Sequence, residues 1–206
     1  MDDRARMVAD QIRARGVSDP RVLSAITRVP RERFIPDDLR HAAHADRPLP
    51  IGYGQTISQP YIVGYMTEAL KVDKHHRVLE IGTGCGYQTA VLAELAADVY
   101  SIELIPELAA RARRTLDEQH YTNVHIRTGD GYAGWPEHAP YDRILGAAAA
   151  ADVPAALVEQ LAEGGILVMP VGTADQELRV VQKHGAKLET LATLPVRFVP
   201  MVKGKQ

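Results

Sequence analysis

The sequence predicts an α/β protein built on a mostly parallel sheet with helices on both faces. Three observations lead there. From Arg77 onward, short apolar β-branched runs alternate with longer segments of helical period, and strands separated by helices of that length return parallel through right-handed crossovers. A glycine-rich turn joins the first of these strands directly to the first of these helices. After Gly172 the alternation gives way to two strand-like runs around Gly185, which predict antiparallel strands finishing the sheet.

A chain of 206 residues and 22.6 kDa accommodates one core. Hydrophobic residues at 46% and charged residues at 24% fit a soluble globular protein and argue against disorder, collagen or coiled coil. Twenty-four basic against twenty-six acidic side chains give a net charge of −2, without the basic footprint of a general nucleic-acid binder. The single cysteine, Cys85, rules out an intrachain disulfide. No apolar run reaches the length of a membrane span, since even Leu145 to Ala151 is broken by Asp152. Met1 to Ile12 interleaves Asp2, Asp3, Arg4, Arg6 and Asp10 with its apolar positions and lacks the apolar stretch of a secretory signal. The eight histidines show no H-x-x-x-H pair and the single cysteine cannot complete a thiolate site, so no metal is expected. These readings give a cytoplasmic protein, a monomer, with neither a membrane nor a nucleic-acid partner.

The elements follow in order. Val8 and Ile12 lie four apart on a short amphipathic helix. Ser18-Asp19-Pro20 is a helix-start signature for a second helix carrying Val22, Leu23 and Ile26, which Pro30 ends. From Arg31 to Pro60 nothing repeats with helical or strand period, and a loop that long in a compact domain is commonly functional. Its last part, Ile51 to Pro60, is glycine-rich, low in charge and anchored by apolar residues, which favours an ordered loop. Then come a strand over Val78 to Ile81, a helix over Gln88 to Ala97, a strand over Val99 to Ile102 and a helix from Pro106 to Gln119. Strands over Val124 to Arg127 and Arg143 to Leu145 follow, then a helix from Pro154 to Leu161 closed by Gly164-Gly165, and a strand over Ile166 to Met169. Glu177 to Gln182 and Lys187 to Leu194 are the two closing strands.

The segment richest in chemistry is Val78-Leu-Glu-Ile-Gly-Thr-Gly-Cys-Gly-Tyr87. Gly82, Gly84 and Gly86 follow a buried strand and open a helix, where a backbone without Cβ atoms lets a ligand approach the helix N-terminus. The dinucleotide fingerprint needs a third glycine or alanine that neither register supplies: Tyr87 or Thr89 stands there. Val99-Tyr-Ser-Ile-Glu103 places an acid at a strand end 21 residues after Gly82, where an adjacent parallel strand presents a carboxylate to ribose hydroxyls. That geometry serves a nicotinamide or a methionine-sulfonium cofactor equally. Gly129-Asp130-Gly131 follows the next strand and reads as a turn or as part of the same pocket.

Taken together, Gly54-Gln-Thr-Ile-Ser-Gln-Pro60, Glu80-Ile-Gly-Thr-Gly-Cys-Gly-Tyr-Gln-Thr-Ala90, Gly129-Asp-Gly131, Gly134-Trp-Pro136, Pro170-Val-Gly172 and Val196-Arg-Phe-Val-Pro200 resemble the protein-L-isoaspartate O-methyltransferase family, from about Met7 to Met201. The resemblance implies a doubly wound, mostly parallel Rossmann-like methyltransferase sheet with antiparallel C-terminal strands and an N-terminal helical cap. It divides a single domain, 1–206, into a cap and active-site loop over 1–70 and an S-adenosylmethionine-binding core over 71–206. It implies S-adenosyl-L-methionine as cofactor and isoaspartyl proteins and peptides as substrates. Ser58 would be the catalytic residue. Thr56, Ile57, Ser58, Gln59, Glu80, Gly82, Thr83, Gly84, Gly86, Tyr87, Glu103, Leu104, Gly129, Asp130 and Gly131 would contact the cofactor, and Ile57, Ser58, Val196 and Arg197 the substrate. Two positions depart from the family pattern, Cys85 where serine is usual and Ala147 where threonine is usual. A class I methyltransferase acting on a small acceptor is the alternative, although it has no need of Gly54 to Pro60 in this form.

The chemistry so implied asks little of acid or base. A carboxylate acceptor is already ionised at neutral pH, so the protein must orient it and exclude water. A hydroxyl at Ser58 suits that task, and read without the resemblance Ser58 is a helix N-cap before Pro60. An isoaspartyl residue must be recognised in nearly any sequence, which favours backbone contacts, with Val196 to Pro200 as one wall. Arg197 either pairs with the acceptor carboxylate or is structural, and the structural role is favoured because a guanidinium would lower the attacking oxygen's nucleophilicity. Trp135 is read as a packing anchor, and Cys85 as a small residue filling a tight turn in preference to a reactive thiol.

Overall fold

The computed structural model describes residues 2–204. Five parallel strands form its centre: β3 (Arg77–Ile81), β4 (Asp98–Glu103), β5 (Val124–Thr128), β6 (Tyr141–Gly146) and β7 (Leu161–Gly172). The sheet order is β5-β4-β3-β6-β7-β8-β9, with β8 (Gln176–His184) and β9 (Lys187–Val196) added antiparallel. The chain runs outward from β3 on one side and returns to β6 on the other. The order therefore reverses between β3 and β6, the place where open α/β sheets bind ligands beyond the strands' carboxyl ends.

Period two sorts the sheet residues onto two faces. Val78, Val99, Leu145, Val168 and Val180 pack with Met66 and Leu70 of α3 (Pro60–Leu70) and Leu92 of α4 (Tyr87–Ala93). Their neighbours Leu79, Ile81, Tyr100, Ile144 and Leu167 pack on the opposite face with Leu157 of α6 (Ala155–Gln160). Both faces are covered, as a near-continuous apolar strand requires. Trp135 is a packing anchor in this second cluster: its ring lies edge-on to Tyr100 at 5.6 Å and under Arg127 at 4.8 Å.

The N-terminal helices close over the first face. α1 (Asp3–Met7) runs into a π-helical turn over Val8–Ile12, so the short helix carrying Val8 and Ile12 is wider than an α-helix in its second half. α2 (Pro20–Arg28) starts as its signature predicts, with the Asp19 side chain accepting from the Arg21 amide and Pro20 in the first turn. Glu68 of α3 accepts from the amides of Ser18 and Asp19 at 2.7 and 2.6 Å, and Arg28 pairs with Glu94 at 2.6 Å. Met7, Ile12, Val22 and Ile26 share one buried cluster with Tyr87 and Val91 of α4 and with Leu108 and Leu116 of α5 (Pro106–Glu118).

Three sequence expectations are corrected. The stretch read as irregular contains an antiparallel hairpin, β1 (Leu49–Gly52) with β2 (Gln55–Ile57). Its turn residues Tyr53 and Gly54 both have positive φ, 55° and 70°, the combination that matches hairpin twist. Gly164-Gly165 does not close α6, whose last turn is followed by Leu161; the glycines lie inside β7, where Tyr141 pairs with Leu161 but Arg143 with Ile166, and the extra residues bulge out. Ser58 is not the N-cap of α3. That place is held by Gln59, which makes no side-chain capping bond.

Candidate active site

The glycine loop follows from β3 and α4. Gly82, Gly84 and Gly86 have φ of 93°, 56° and 90°, so the chain turns from strand to helix through conformations that side chains resist. The turn is tied to the next strand by the Gly82 amide donating to the Ile102 carbonyl at 2.8 Å. Gly86 serves a second purpose, because a Cβ there would lie 3.1 Å from Leu116 and 3.3 Å from Ala112 of α5. Close helix packing, and not ligand approach, explains this third glycine.

Glu103 ends β4 beside that loop, 6% exposed. Its Oε2 accepts from the Gly84 amide at 2.7 Å and its Oε1 from the Ile105 amide at 3.0 Å. Two bonds leave lone pairs over on a carboxylate, which has about four acceptor sites. Beneath the loop, Glu80 is fully buried on β3, where its Oε2 accepts from Thr89 and Ser101, both at 2.5 Å, while Oε1 has no partner among the described residues. Ser101 in turn bonds Thr83 at 2.6 Å. Burial pushes the Glu80 carboxyl up to about 7, against the two hydroxyls that favour its charged form. It supports the loop from below and does not face the cavity.

A cavity opens between the glycine loop, the end of β4, the loop after β2 and the chain's C-terminal segment. Of the residues expected at a cofactor, Thr56, Ile57, Ser58, Gly82, Thr83, Gly84, Tyr87, Glu103, Leu104 and Gly131 line it. Gln59, Glu80, Gly86, Gly129 and Asp130 do not. Gln59 faces a neighbouring groove and donates to the Asp46 side chain at 2.8 Å. Asp130 accepts from the amides of Tyr132 and Gly204, at 2.8 and 3.0 Å, so its carboxylate caps the turn after β5 and holds the C-terminal segment. The Gly129 amide donates to the Glu103 carbonyl at 2.9 Å.

Of the expected substrate residues, Ser58, Val196 and Arg197 line that second groove, whereas Ile57 lines only the cavity. Val196 and Arg197 line it with Gln59, Tyr61, Phe198 and Arg15. Thr56, Ser58, Ala147 and Val199 belong to both openings, so Ser58 stands where groove and cavity meet. Ala147 follows β6 at this junction, with its Cβ 3.4 Å from where a Gly82 Cβ would lie. Met201 and Val202 of the cavity wall were not expected. They are placed by ladder-like bonds, the Ala149 amide to the Val199 carbonyl at 2.9 Å and the Met201 amide to the Ala149 carbonyl at 2.7 Å. No motif announces such a pairing. Cys85 is 5% exposed at the cavity edge, and burial pushes its thiol up, which fits a filler of the turn.

The donor set fits a nucleoside. A buried carboxylate with spare acceptor capacity suits vicinal hydroxyls, and Ile81, Ile102, Leu104 and Ile105 supply apolar walls around it. A parallel sheet that reverses order at this cavity, with three left-handed glycines and an acid on the adjacent strand, is a frame that nucleoside-cofactor enzymes share, class I S-adenosylmethionine-dependent methyltransferases among them. Residues 3–206 match the family model described as protein-L-isoaspartate(D-aspartate) O-methyltransferase. The chain is 57% identical over 198 residues to the protein-L-isoaspartate O-methyltransferase of a Picosynechococcus species, covering 96% of this chain and 89% of that one. It is 52% identical over 201 residues to the protein of the same name from Gloeobacter violaceus, covering 97% and 98%. A solved protein-L-isoaspartate O-methyltransferase superposes with a TM-score of 0.86 at 30% identity, over 96% of this chain and 65% of that one. A Plasmodium falciparum structure titled a putative enzyme of the same kind, in complex with S-adenosyl-L-homocysteine, shares the fold at a TM-score of 0.84 and 22% identity, over 99% of this chain and 100% of that one. The chain belongs to the protein-L-isoaspartate(D-aspartate) O-methyltransferase family.

Proposed function

We propose that this protein transfers a methyl group from S-adenosylmethionine to the free α-carboxylate of L-isoaspartyl residues in damaged proteins and peptides, with Ser58 orienting the acceptor. The observation that carries the reading of Ser58 is its place at the junction of the two openings, next to the glycine-loop cavity on one side and the groove of Val196 and Arg197 on the other. When bound, S-adenosylmethionine supplies the electrophilic methyl group. Glu103, the glycine loop and the apolar residues around it hold the nucleoside; Thr56 borders both openings and Ile57 lines the cavity. The acceptor carboxylate arrives ionised, so no residue need take a proton, and Ser58 can donate a hydrogen bond that fixes the attacking oxygen. The groove presents chain from β9 onward beside exposed and half-buried side chains, which suits acceptors of varied sequence. Relatives at more than half identity are named protein-L-isoaspartate O-methyltransferase, and nothing favours a small-molecule acceptor.

The same reading extends to three coarser matters. No helix among the described residues is long and apolar enough to cross a membrane. The protein is taken to act in the cytoplasm as a monomer, and its net charge of −2 supports action without nucleic acid. The residues before about 70 and the sheet that follows are taken as one folding unit, as their shared buried cluster supports.

Labelled methyl transfer to an isoaspartyl peptide, with the ordinary aspartyl peptide as control, tests the function. Transfer to the isoaspartyl peptide alone is expected; equal labelling of both would overturn the assignment. For Ser58, single-turnover rates decide. Ser58→Ala should slow transfer by about ten- to a hundred-fold while S-adenosylhomocysteine affinity stays within a few-fold, since the hydroxyl orients the acceptor and not the donor. Ser58→Thr should keep part of the rate. A wild-type rate in Ser58→Ala would remove Ser58 from the mechanism.

A further inference from the structure

Arg31 is the largest side chain buried without residual exposure, at 0%. Among the described residues no carboxylate pairs with it, although leaving a guanidinium in the interior is costly unless its donors are used. Two of its three nitrogens donate to backbone. Nε donates to the Ala43 carbonyl and Nη2 to the Ser58 carbonyl, both at 2.8 Å. These carbonyls flank the segment that holds the β1–β2 hairpin, so one planar group joins its two stems. The guanidinium carbon also lies 4.8 Å from the centre of the Tyr87 ring, within reach of a cation–π contact. Tyr87 heads α4 directly after the glycine loop and lines the cavity. Nη1 and the Tyr87 hydroxyl are both buried, and among the described residues neither meets strict hydrogen-bond geometry with a partner.

We infer that Arg31 is a positioning residue for methyl transfer: its fork fixes the Ser58 backbone relative to Tyr87, holding the acceptor-side loop and the donor-side pocket in one frame. This rests on the reading of Ser58 given above. The side chain touches neither reactant and acts through Ser58. Lysine cannot replace it, because a single ammonium on a flexible stem lacks two donors at fixed spacing and the flat face that meets Tyr87.

The test is a double-mutant cycle on the full chain, with Arg31→Lys and Ser58→Ala made singly and together. Single-turnover rates with an isoaspartyl peptide, S-adenosylhomocysteine affinity and thermal melting are measured on each. Arg31→Lys should slow transfer by about ten- to a hundred-fold, the scale of a small misplacement of reacting groups. Its S-adenosylhomocysteine affinity should stay within a few-fold. In the Ser58→Ala background the same change should cost less than about twofold, because no hydroxyl remains to be misplaced. If Arg31→Lys does not fold, Arg31→Met, which replaces the buried charge with an apolar chain, takes its place in the cycle. Losses that multiply in the double variant, a wild-type rate in a folded single variant, or failure of both replacements to fold would each overturn the positioning role. A wild-type rate in Ser58→Ala alone would instead fail the reading of Ser58.

Discussion

At the residue scale, Glu103 combines two duties that the sequence shows as one. Its position on a strand end 21 residues after Gly82 is legible without a structure. That both oxygens already accept from backbone amides, Gly84 and Ile105, is not. Removing the carboxylate therefore takes away a brace of the glycine loop together with the ligand contacts proposed for it. Glu103→Ala should weaken S-adenosylhomocysteine binding by about ten- to a hundred-fold, from charge-assisted bonds of roughly 1.5–3 kcal/mol, as calorimetry would measure. Glu103→Gln keeps one acceptor oxygen and should lose less; equal losses would mean that charge alone matters. Cys85 shows the converse, a residue whose chemistry is suppressed by place. With burial raising its thiol and only 5% of it exposed, reaction with a disulfide reagent at pH 7 should be slow in the native protein and fast after denaturation.

At the scale of elements, the parallel strands were plain because their short β-branched runs are bounded by turns, with the central ones apolar on both faces and β5 at the edge alternating with His125 and Arg127. The hairpin over Leu49–Ile57 was hidden by Pro48 and Pro50, which argue against a central strand but are tolerated in a two-stranded ribbon. What settles it is packing: Leu49 and Ile51 are buried, and Arg111 of α5 donates to the Ile51 carbonyl. Gly164-Gly165 misled for a similar reason, as the same pair marks a helix end or a bulge and only the pairing partner distinguishes them. The third glycine of the loop allows a direct test. Gly86→Ala would place a Cβ against Leu116 and Ala112 at a φ of 90°, and should destabilise the protein by about 1–3 kcal/mol, read from denaturant midpoints. Trimming Leu116 to alanine should relieve the clash, so the paired variant should lose less than the two separate losses together.

For the molecule as a whole, Glu80 ties stability to pH. Its carboxyl is pushed up to about 7 by burial, above the ordinary value of 4.5. Between those values the native state keeps a proton that the unfolded chain has released. Stability from this group therefore falls as pH rises from about 4.5 to about 7, and is level beyond, by an amount on the order of 3 kcal/mol. Glu80→Gln, still an acceptor for Thr89 and Ser101, should flatten that decline when melting is followed across the same range. An unchanged decline would assign it to other groups.

What the sequence determined by itself was whatever depends on local pattern: the alternation that makes a parallel sheet, the glycine loop that opens α4 and the acid on β4. Those signals lie within a few residues of one another, where backbone preference and hydrophobic period decide the outcome. Tertiary structure decided what joins distant stretches. It brought Val199 to Val202 against the end of β6 to wall the cavity, turned Asp130 toward Gly204, and set Gln59 in the groove instead of the cavity. It also buried Arg31 beneath Ser58, 27 residues further along the chain. Such contacts depend on which surfaces the sheet leaves free after its core is packed, and no periodicity within one segment encodes that.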